Sequence, residues 1–469
     1  MLSLKQPLAA VLALSAAIGA STALAADGDL DPSFGTGGIA YLAPDLVDAQ
    51  ELQPYKAIVL PDGKILFAGS LNKPTTVPFE QEYRGMLARF NADGSVDDTF
   101  GNTSVAGIVE VPNLVDGARM EGIESMVRLD DGSIVAVGTS MVNTPLQGFI
   151  IKMDAEGNLD PNFGTGGAVF SLSTFLHAVG VDGAGRILAA GEHVASGVYT
   201  STVIRLGTDG TPDDAFGTSG TATIDWDGAG NSGYLTTLIV NADDSVTVGG
   251  MYSVYGDGFG NDYAVARLDD TGTLDATFGD NGSRVFHDPS DPSFINAIHS
   301  IAPTPDGGIA WAGYFTNPDG YAQIIIGHLD ANGLTDAAFG DEATPGYFRP
   351  VIVPVQNNNV TGLAVQADGK PVVTATYWVS DREEFFAFRA TADGQADTDF
   401  ADNGAFSVDL APSGTYSEAS AVTVQPDGRI VAAGRAERSD VFQVDLGIVR
   451  LLSAGGEPTD RIFASGFEP

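Results

Sequence analysis

The stretch "LDPSFGTGG" (Leu30–Gly38) returns as "LDPNFGTGG" (Leu159–Gly167), with Asn162 in place of Ser33. Its aromatic anchors a longer series: Phe34, Phe100, Phe163, Phe216, Phe278, Phe339 and Phe400, spaced 53 to 66 residues apart with a mean of 61. A period of this size marks an array of supersecondary units. Each unit carries a turn followed by a β-branched run, as in "PDGKILFAG" (Pro61–Gly69), "DDGSIVAVG" (Asp130–Gly138) and "PDGRIVAAG" (Pro426–Gly434). Asp-Gly between two apolar runs is a hairpin signal.

A second strand in each unit ends in a cation: Arg89, Lys152, Arg205, Arg267, His328, Arg389 and Arg450. A glycine follows five residues on (Gly94, Gly157, Gly210, Gly272, Gly333, Gly394, Gly455). An aspartate follows eight residues on (Asp97, Asp160, Asp213, Asp275, Asp336, Asp397), and Phe comes three after it. Each unit therefore reads as four short antiparallel strands without a helix. One such sheet cannot bury both faces, whereas packing units face to face in a ring does. The expectation is an all-β, seven-bladed β-propeller spanning residues 26–456. An open solenoid is the alternative, though its coils usually have shorter periods.

The pattern L-D-x-x-F-G-x-x-G, then D-G-[KR]-I-x-x-A-G, then [AV]-R-L-x-x-D-G resembles the delta-60 repeat proteins, a bacterial family with repeats of about 60 residues. The resemblance covers residues 26–456 and implies a propeller-like fold without implying any particular chemistry. Departures are local: Ala375 replaces the strand glycine, Asp243-Asp244 replaces Asp-Gly, and Ala401 replaces the glycine after Phe400.

The two ends of the array do not match. The N-terminal copy has no cation strand before it, and the C-terminal "EPTDRIFASG" is a poor copy whose Phe463 stands 13 residues after Arg450, where the others have 11. The expectation is that the N-terminal segment fills the slot after the last cation strand. "GIAYL" would then pair with Val444–Leu451, and one blade would be built from both ends.

Residues 1–25 carry one cation, Lys5, an apolar run and Ala23-Leu24-Ala25, the pattern of a secretory signal peptide. The run is short of the roughly 20 residues that span a bilayer. The expected location is exported: periplasmic, extracellular or surface-associated, with no membrane span. Loss of Lys5 would take the net charge from −39 to −40. Such a chain repels nucleic acid. With no cysteine there are no thiol nucleophiles, disulfides or Cys-based metal sites.

Each cation and its aspartate, joined by the glycine turn, suit a charge-assisted pair holding a blade corner. The pairs are Arg89 with Asp97, Lys152 with Asp160, Arg205 with Asp213, Arg267 with Asp275, His328 with Asp336 and Arg389 with Asp397, while Arg450 has no aspartate at this spacing. The alternative is a cationic ring in the central channel that binds an anion. No cofactor is expected. "DGDLDPSFGTGG" (Asp27–Gly38) has carboxylates at positions 1, 3 and 5 of a calcium loop, but Pro32 and Gly38 stand where the glycine and glutamate belong. "GFGND" (Gly258–Asp262) matches a calcium β-roll half-motif that needs tandem copies. Calcium at a loop stays open as an alternative.

No catalytic residue is nominated: nucleophile-elbow, zinc and phosphate-loop motifs are absent, and His177, His193, His287, His299 and His328 are not at ligand spacing. A glycosidase carboxylate pair stays open. Two lengthened connections, Asn72–Gly85 and Tyr252–Tyr263, have the aromatic and polar content of a recognition surface. The tail at 457–469 resembles I-F-x-x-G-F-E ends of exported bacterial proteins; it is a sorting element or a drifted repeat. The leading functional expectation is a monomeric, non-enzymatic binding propeller whose partner is a glycan or surface protein. The alternative is a propeller enzyme: a carbohydrate hydrolase or lyase, or a quinone-dependent dehydrogenase. Non-repeated charged residues converging on the channel would favour an enzyme, and a flat aromatic face would favour binding.

Overall fold

The computed structural model describes residues 26–43, 51–74, 81–101, 106–114, 120–141, 146–226, 232–253, 261–286, 296–317, 319–340, 344–351, 358–379, 382–411, 416–438 and 443–453. Residues 1–25 and 457–469 lie outside them. The described residues form 28 strands and no helix, so none is present that is long and apolar enough to cross a membrane.

The strands make seven antiparallel blades of four. Five are separate sheets; the other two, blade 7 and blade 1, are joined into one sheet by a single parallel pairing of Glu51 with Val444. Blades 1 to 6 run in chain order from Glu51 to Val408. Blade 7 takes three strands from residues 417–451, and its outermost strand is Ile39–Leu42. Ile39 faces Val449 and Leu42 faces Leu446, so the expected closure by the two ends is what the fold contains. The N-terminal segment reproduces the whole turn as well as the strand: the Asp31 amide donates to the Arg450 carbonyl at 2.8 Å, and the Gly28 amide donates to the Leu452 carbonyl at 2.9 Å.

The first strands of the blades are Glu51–Val59, Met120–Arg128, Thr174–Val181, Ser232–Val240, Ala297–Pro303, Val360–Val365 and Ser417–Val424. Each contacts the first strand of the blades on both sides, so together they form the wall of a central channel. Apolar burial lies between blades. Seven clusters of buried side chains occupy the seven interfaces, from the blade 7–blade 1 cluster around Phe34, Phe67 and Ile448 to the blade 6–blade 7 cluster around Phe385, Phe400 and Val449. All seven repeat phenylalanines are buried. No interface is spare, because a four-stranded sheet has two apolar faces and a closed ring covers both.

The Asp-Gly hairpin turns place only their third residue in the left-handed region, as at Gly63 (φ 82°), while the aspartate accepts from the amide two residues on. This is a three-residue loop with a bulge, not the two-residue type. In blade 4, Asp244 takes the glycine position (φ 64°), a conformation that aspartate tolerates better than most residues.

Candidate functional site in the central channel

The repeat cations lie on third strands, away from the channel, so the reading of them as a channel ring is corrected. In blade 1, Arg89 Nε lies 2.6 Å from Asp97 Oδ2. Its guanidinium sits 4.3 Å from the centroid of Phe100, and Nη1 donates to the Ala155 carbonyl of blade 2 at 3.0 Å. Arg205 repeats this with Asp213 (2.8 Å), Phe216 (4.5 Å) and the Asp270 carbonyl (2.6 Å). Arg267 lies over Phe278 and reaches the Ala331 carbonyl, with Asp275 near enough to act on it by charge. Arg450 pairs with Asp31 at 2.8 Å, lies over Phe34 and donates to the Ala92 carbonyl of blade 1. Arg389 joins Asp397 (2.8 Å) and lies over Phe400, but its outer nitrogens take Asp27 of the N-terminal segment at 2.5 and 3.1 Å.

One planar guanidinium thus stacks on its own blade's phenylalanine, pairs its own aspartate and caps the next blade's turn. His328 keeps the stack on Phe339 and the contact to Asp336 (3.0 Å). A 150 Å³ cavity beside it is lined by Ala392, the residue at the corresponding position of the next turn. Lys152 and Asp160 are not brought into an ion pair among the described residues; both line a 450 Å³ cleft with Asp131 and Asp154. Sequence spacing exposed the aspartate but not the stacking ring or the inter-blade carbonyl.

The calcium-loop carboxylates have other partners: Asp27 meets Arg389, Asp29 accepts from the Ala26 amide, and Asp31 meets Arg450. Among the described residues no group of three His, Asp or Glu is arranged to hold a metal ion. The segments 75–80 and 254–260 of the lengthened connections, and with them most of "GFGND", lie outside the described residues, as does His287.

The channel wall carries what the repeats do not. Every first strand contains one β-bulge against its second strand, and the bulged residues are Tyr55, Glu124, His177, Thr236, His299, Thr361 and Ser420. A bulge re-aims a side chain and recurs beside functional sites. The same bulge explains the glycine closing each "AG". A Cβ on Gly69, Gly138, Gly191, Gly250, Gly313 or Gly434 would lie 1.7 to 2.0 Å from a first-strand carbonyl oxygen, two residues before the bulged position. In blade 6 the first strand begins only at Val360, opposite Ala375, and there alanine is accommodated.

Seven equivalent positions thus hold five residue types. Thr236 and Thr361 donate to carbonyls of the following blade, Ile298 (2.8 Å) and Ala419 (2.7 Å), and so serve the ring itself. Tyr55, Glu124, His177 and His299 do not follow that pattern. The residue after the bulge is small in six blades (Ser125, Ala178, Thr237, Ser300, Gly362, Ala421) and Lys56 in the first.

These groups sense one another. His177 Nε2 lies 3.2 Å from Glu192 Oε1, and the Phe175 ring stacks parallel to the imidazole. Burial disfavours the imidazolium, but the Glu192 carboxylate and the Glu124 charge outweigh it and raise the His177 pKa. Burial raises Glu124. Burial and then the charges of Lys56 and His177 depress His299 to about 4. Lys56 and His299 have solvent-accessible surface, yet protein surrounds both, as a narrow wet channel requires. Glu192 is 4% exposed, and its Oε2 has no hydrogen-bond partner among the described residues.

Nearer the start of the first strands, Arg435 binds Glu51 (2.5 Å) and Glu418 (2.7 Å) and lies over Tyr416. This links blade 7 to blade 1 at their shared edge. Burial, then Glu383 and Glu51, push Glu418 up to about 8.

Comparison with known proteins agrees with this architecture. A family model described as a domain of unknown function (DUF5122) beta-propeller matches residues 60–100, 129–163, 185–216 and 425–456. The chain is a β-propeller. No curated protein matches the propeller's sequence. Among solved structures it is similar to Drosophila Semaphorin 2a, at 8% identity with a TM-score of 0.50, covering 92% of this chain and 76% of that one. It is also similar to the polysaccharide lyase Uly1 (12% identity, TM-score 0.49, 85% and 90% covered). A Penicillium chrysogenum alpha-L-arabinanase complexed with arabinobiose follows at 11% identity and a TM-score of 0.44, with 91% and 98% covered. At these identities the likeness concerns the fold alone.

Proposed function

We propose that this propeller is an exported, non-enzymatic binding module of the delta-60 repeat kind, acting as a monomer, and that its ligand enters the central channel. The observation that carries the reading is the divergence of the bulged positions. The chain repeats its turn, cation and phenylalanine in unit after unit, yet fills seven equivalent channel positions with Tyr55, Glu124, His177, Thr236, His299, Thr361 and Ser420. A purely structural position tracks the repeat, whereas an asymmetric ligand requires asymmetry. Export rests on the leader pattern of residues 1–25, and a glycan or surface protein is the partner class that an exported acidic protein meets.

The convergence of non-repeated Glu124, His177 and Glu192 gives weight to a second reading, an enzyme acting on carbohydrate. The two readings differ in turnover, which the following screen measures. Glycan-array and small-molecule thermal-shift screening, with and without calcium and with EDTA, tests the proposal. Binding without turnover, weakened by His177→Gln, is expected; turnover of any hit, abolished by the same variant, would replace it with the enzyme.

A further inference from the structure

We infer that the corner of blade 5 is a binding site for a guanidinium group, supplied by an arginine side chain of a basic partner protein and seated in the cavity beside His328. This site is separate from the channel and does not depend on what enters it.

The sister corners show what this one is built to hold. In five blades an arginine guanidinium lies 4.3 to 4.7 Å from the centroid of the repeat phenylalanine. In four of them it also donates to a carbonyl in the next blade's turn, that of Ala155, Asp270, Ala331 or Ala92. Blade 5 keeps the phenylalanine and the turn but not the arginine. The Gly340 amide donates to the Asp393 carbonyl at 2.9 Å, as the Gly279 amide of blade 4 donates to the Asn332 carbonyl at 2.7 Å. The Ala392 carbonyl is therefore the counterpart of the Ala331 carbonyl that Arg267 caps. His328 turns its ring nitrogens elsewhere, Nδ1 to Asp336 at 3.0 Å and Nε2 to Thr304 at 3.1 Å.

The space left is the 150 Å³ cavity, whose lining includes His328, Phe339, Ala392, Asp306 and Asp368. It opens to the surface, where the Asp306 side chain is 64% exposed and the Asp368 side chain 33%. Among the described residues neither carboxylate has a close cation. His328 Nε2 stands 3.6 Å from Asp306, and Lys370 Nζ stands 3.6 Å from Asp368 but 3.0 Å from Asp397.

A second cation is missing from the same corner. In blades 1, 3, 6 and 7 the residue before the second strand is Lys64, Arg186, Lys370 or Arg429, and it reaches the corner aspartate at 2.9 to 3.5 Å. Blade 5 has Gly308 there. Its corner aspartate, Asp336, is accordingly 34% exposed, against 2% to 18% in those four blades. A planar guanidinium entering the cavity meets an aromatic ring, a turn carbonyl and carboxylates, the kinds of partner that the sister corners supply. A lysine ammonium is a compact point charge without the fork that serves carbonyl and carboxylate together. The net charge of −39 steers a basic partner toward this surface.

Methyl NMR of the purified protein labelled at alanine, titrated with N-acetyl-arginine methylamide, its lysine counterpart, guanidinium chloride and urea, tests this. The Ala310 and Ala392 methyls line the cavity and report on it. Both should shift and saturate with the arginine amide and with guanidinium, with dissociation constants on the order of millimolar. The lysine amide and urea, which is planar but neutral, should bind at least about tenfold more weakly. Asp306→Asn should weaken the arginine amide by about threefold. His328→Arg supplies the group from within and should abolish the response. Ala392→Leu, on an exposed turn, closes the space without touching the repeat position and should do the same, read at Ala310. An equal response to the lysine amide or to urea, or an arginine response that survives both cavity-filling variants, overturns the inference. Guanidinium binding without arginine-amide binding limits the cavity to a free ion and overturns the partner. Either failure leaves the channel reading standing.

Discussion

Replacing Asp31 by Asn should loosen the ring at one place. Asp31 Oδ2 lies 2.8 Å from Arg450 Nε and 3.3 Å from Arg429 Nε; the Asp31 and Arg450 side chains are 3% and 4% exposed. The substitution keeps size and shape but leaves the Arg450 guanidinium buried opposite a neutral group. Breaking one partner of a buried pair costs about 3–5 kcal/mol, a large part of the roughly 5–15 kcal/mol that holds a domain folded. Asp275→Asn is the control, because Arg267 is less buried and makes no ion-pair contact with that aspartate; a cost below about 1 kcal/mol is expected there. Urea unfolding followed by tryptophan fluorescence gives the free energies. Hydrogen exchange should show lost protection at Ile39–Leu42 and Leu446–Val449, with the other blades unchanged. Adding Arg450→Met to Asp31→Asn should recover part of the loss. A penalty for Asp31→Asn no larger than for Asp275→Asn, or exchange spread evenly round the ring, would refute the reasoning.

Acid should act on the same corner. Burial opposes the Asp31 charge, but hydrogen bonds from Ser33 and the charges of Arg450 and Arg429 outweigh it and lower the pKa. A lowered folded pKa stabilises above the unfolded value and fades as pH falls through the folded one, so wild type should weaken below about pH 4 and Asp31→Asn should not show that increment. Glu418 has the opposite sign. Held near 8, it binds its proton more tightly when folded, so its contribution declines as pH rises from about 4.5 to 8; Glu418→Gln should flatten that limb of a melting-temperature profile. His328→Arg should fill the cavity beside Phe339 and reach the Ala392 turn, raising stability by about 1 kcal/mol in urea unfolding. Gly138→Ala should cost about 1–3 kcal/mol or more by the same assay, since its Cβ would lie 1.8 Å from the Gly122 carbonyl oxygen, while Ala375→Gly should cost less than about 1 kcal/mol.

The ring was legible because its determinants repeat. Phe34 to Phe400 set the period, and a first copy without a cation strand facing a last copy with a poor turn forecast that Ile39–Leu42 would complete blade 7. The guanidinium contacts were half legible: a spacing of eight found Asp97 for Arg89, but stacking on Phe100 and capping of Ala155 depend on where the next blade stands. The channel groups were hidden for the opposite reason. Tyr55, Glu124, His177 and His299 differ because their positions escape the repeat, and a bulge leaves no periodicity to count. The one trace was the glycine at the end of "FAG", "AVG" and "AAG", which reads as turn punctuation until the carbonyl of the bulged strand is seen against it.

The most direct test of the channel as the ligand site is hydrogen–deuterium exchange with the tightest screening hit present and absent. Protection confined to the first strands, strongest at Thr174–Val181 and Ala297–Pro303 and reduced by His177→Gln, is the predicted result. Protection at the outer strands or the blade corners, with the first strands unchanged, would contradict it.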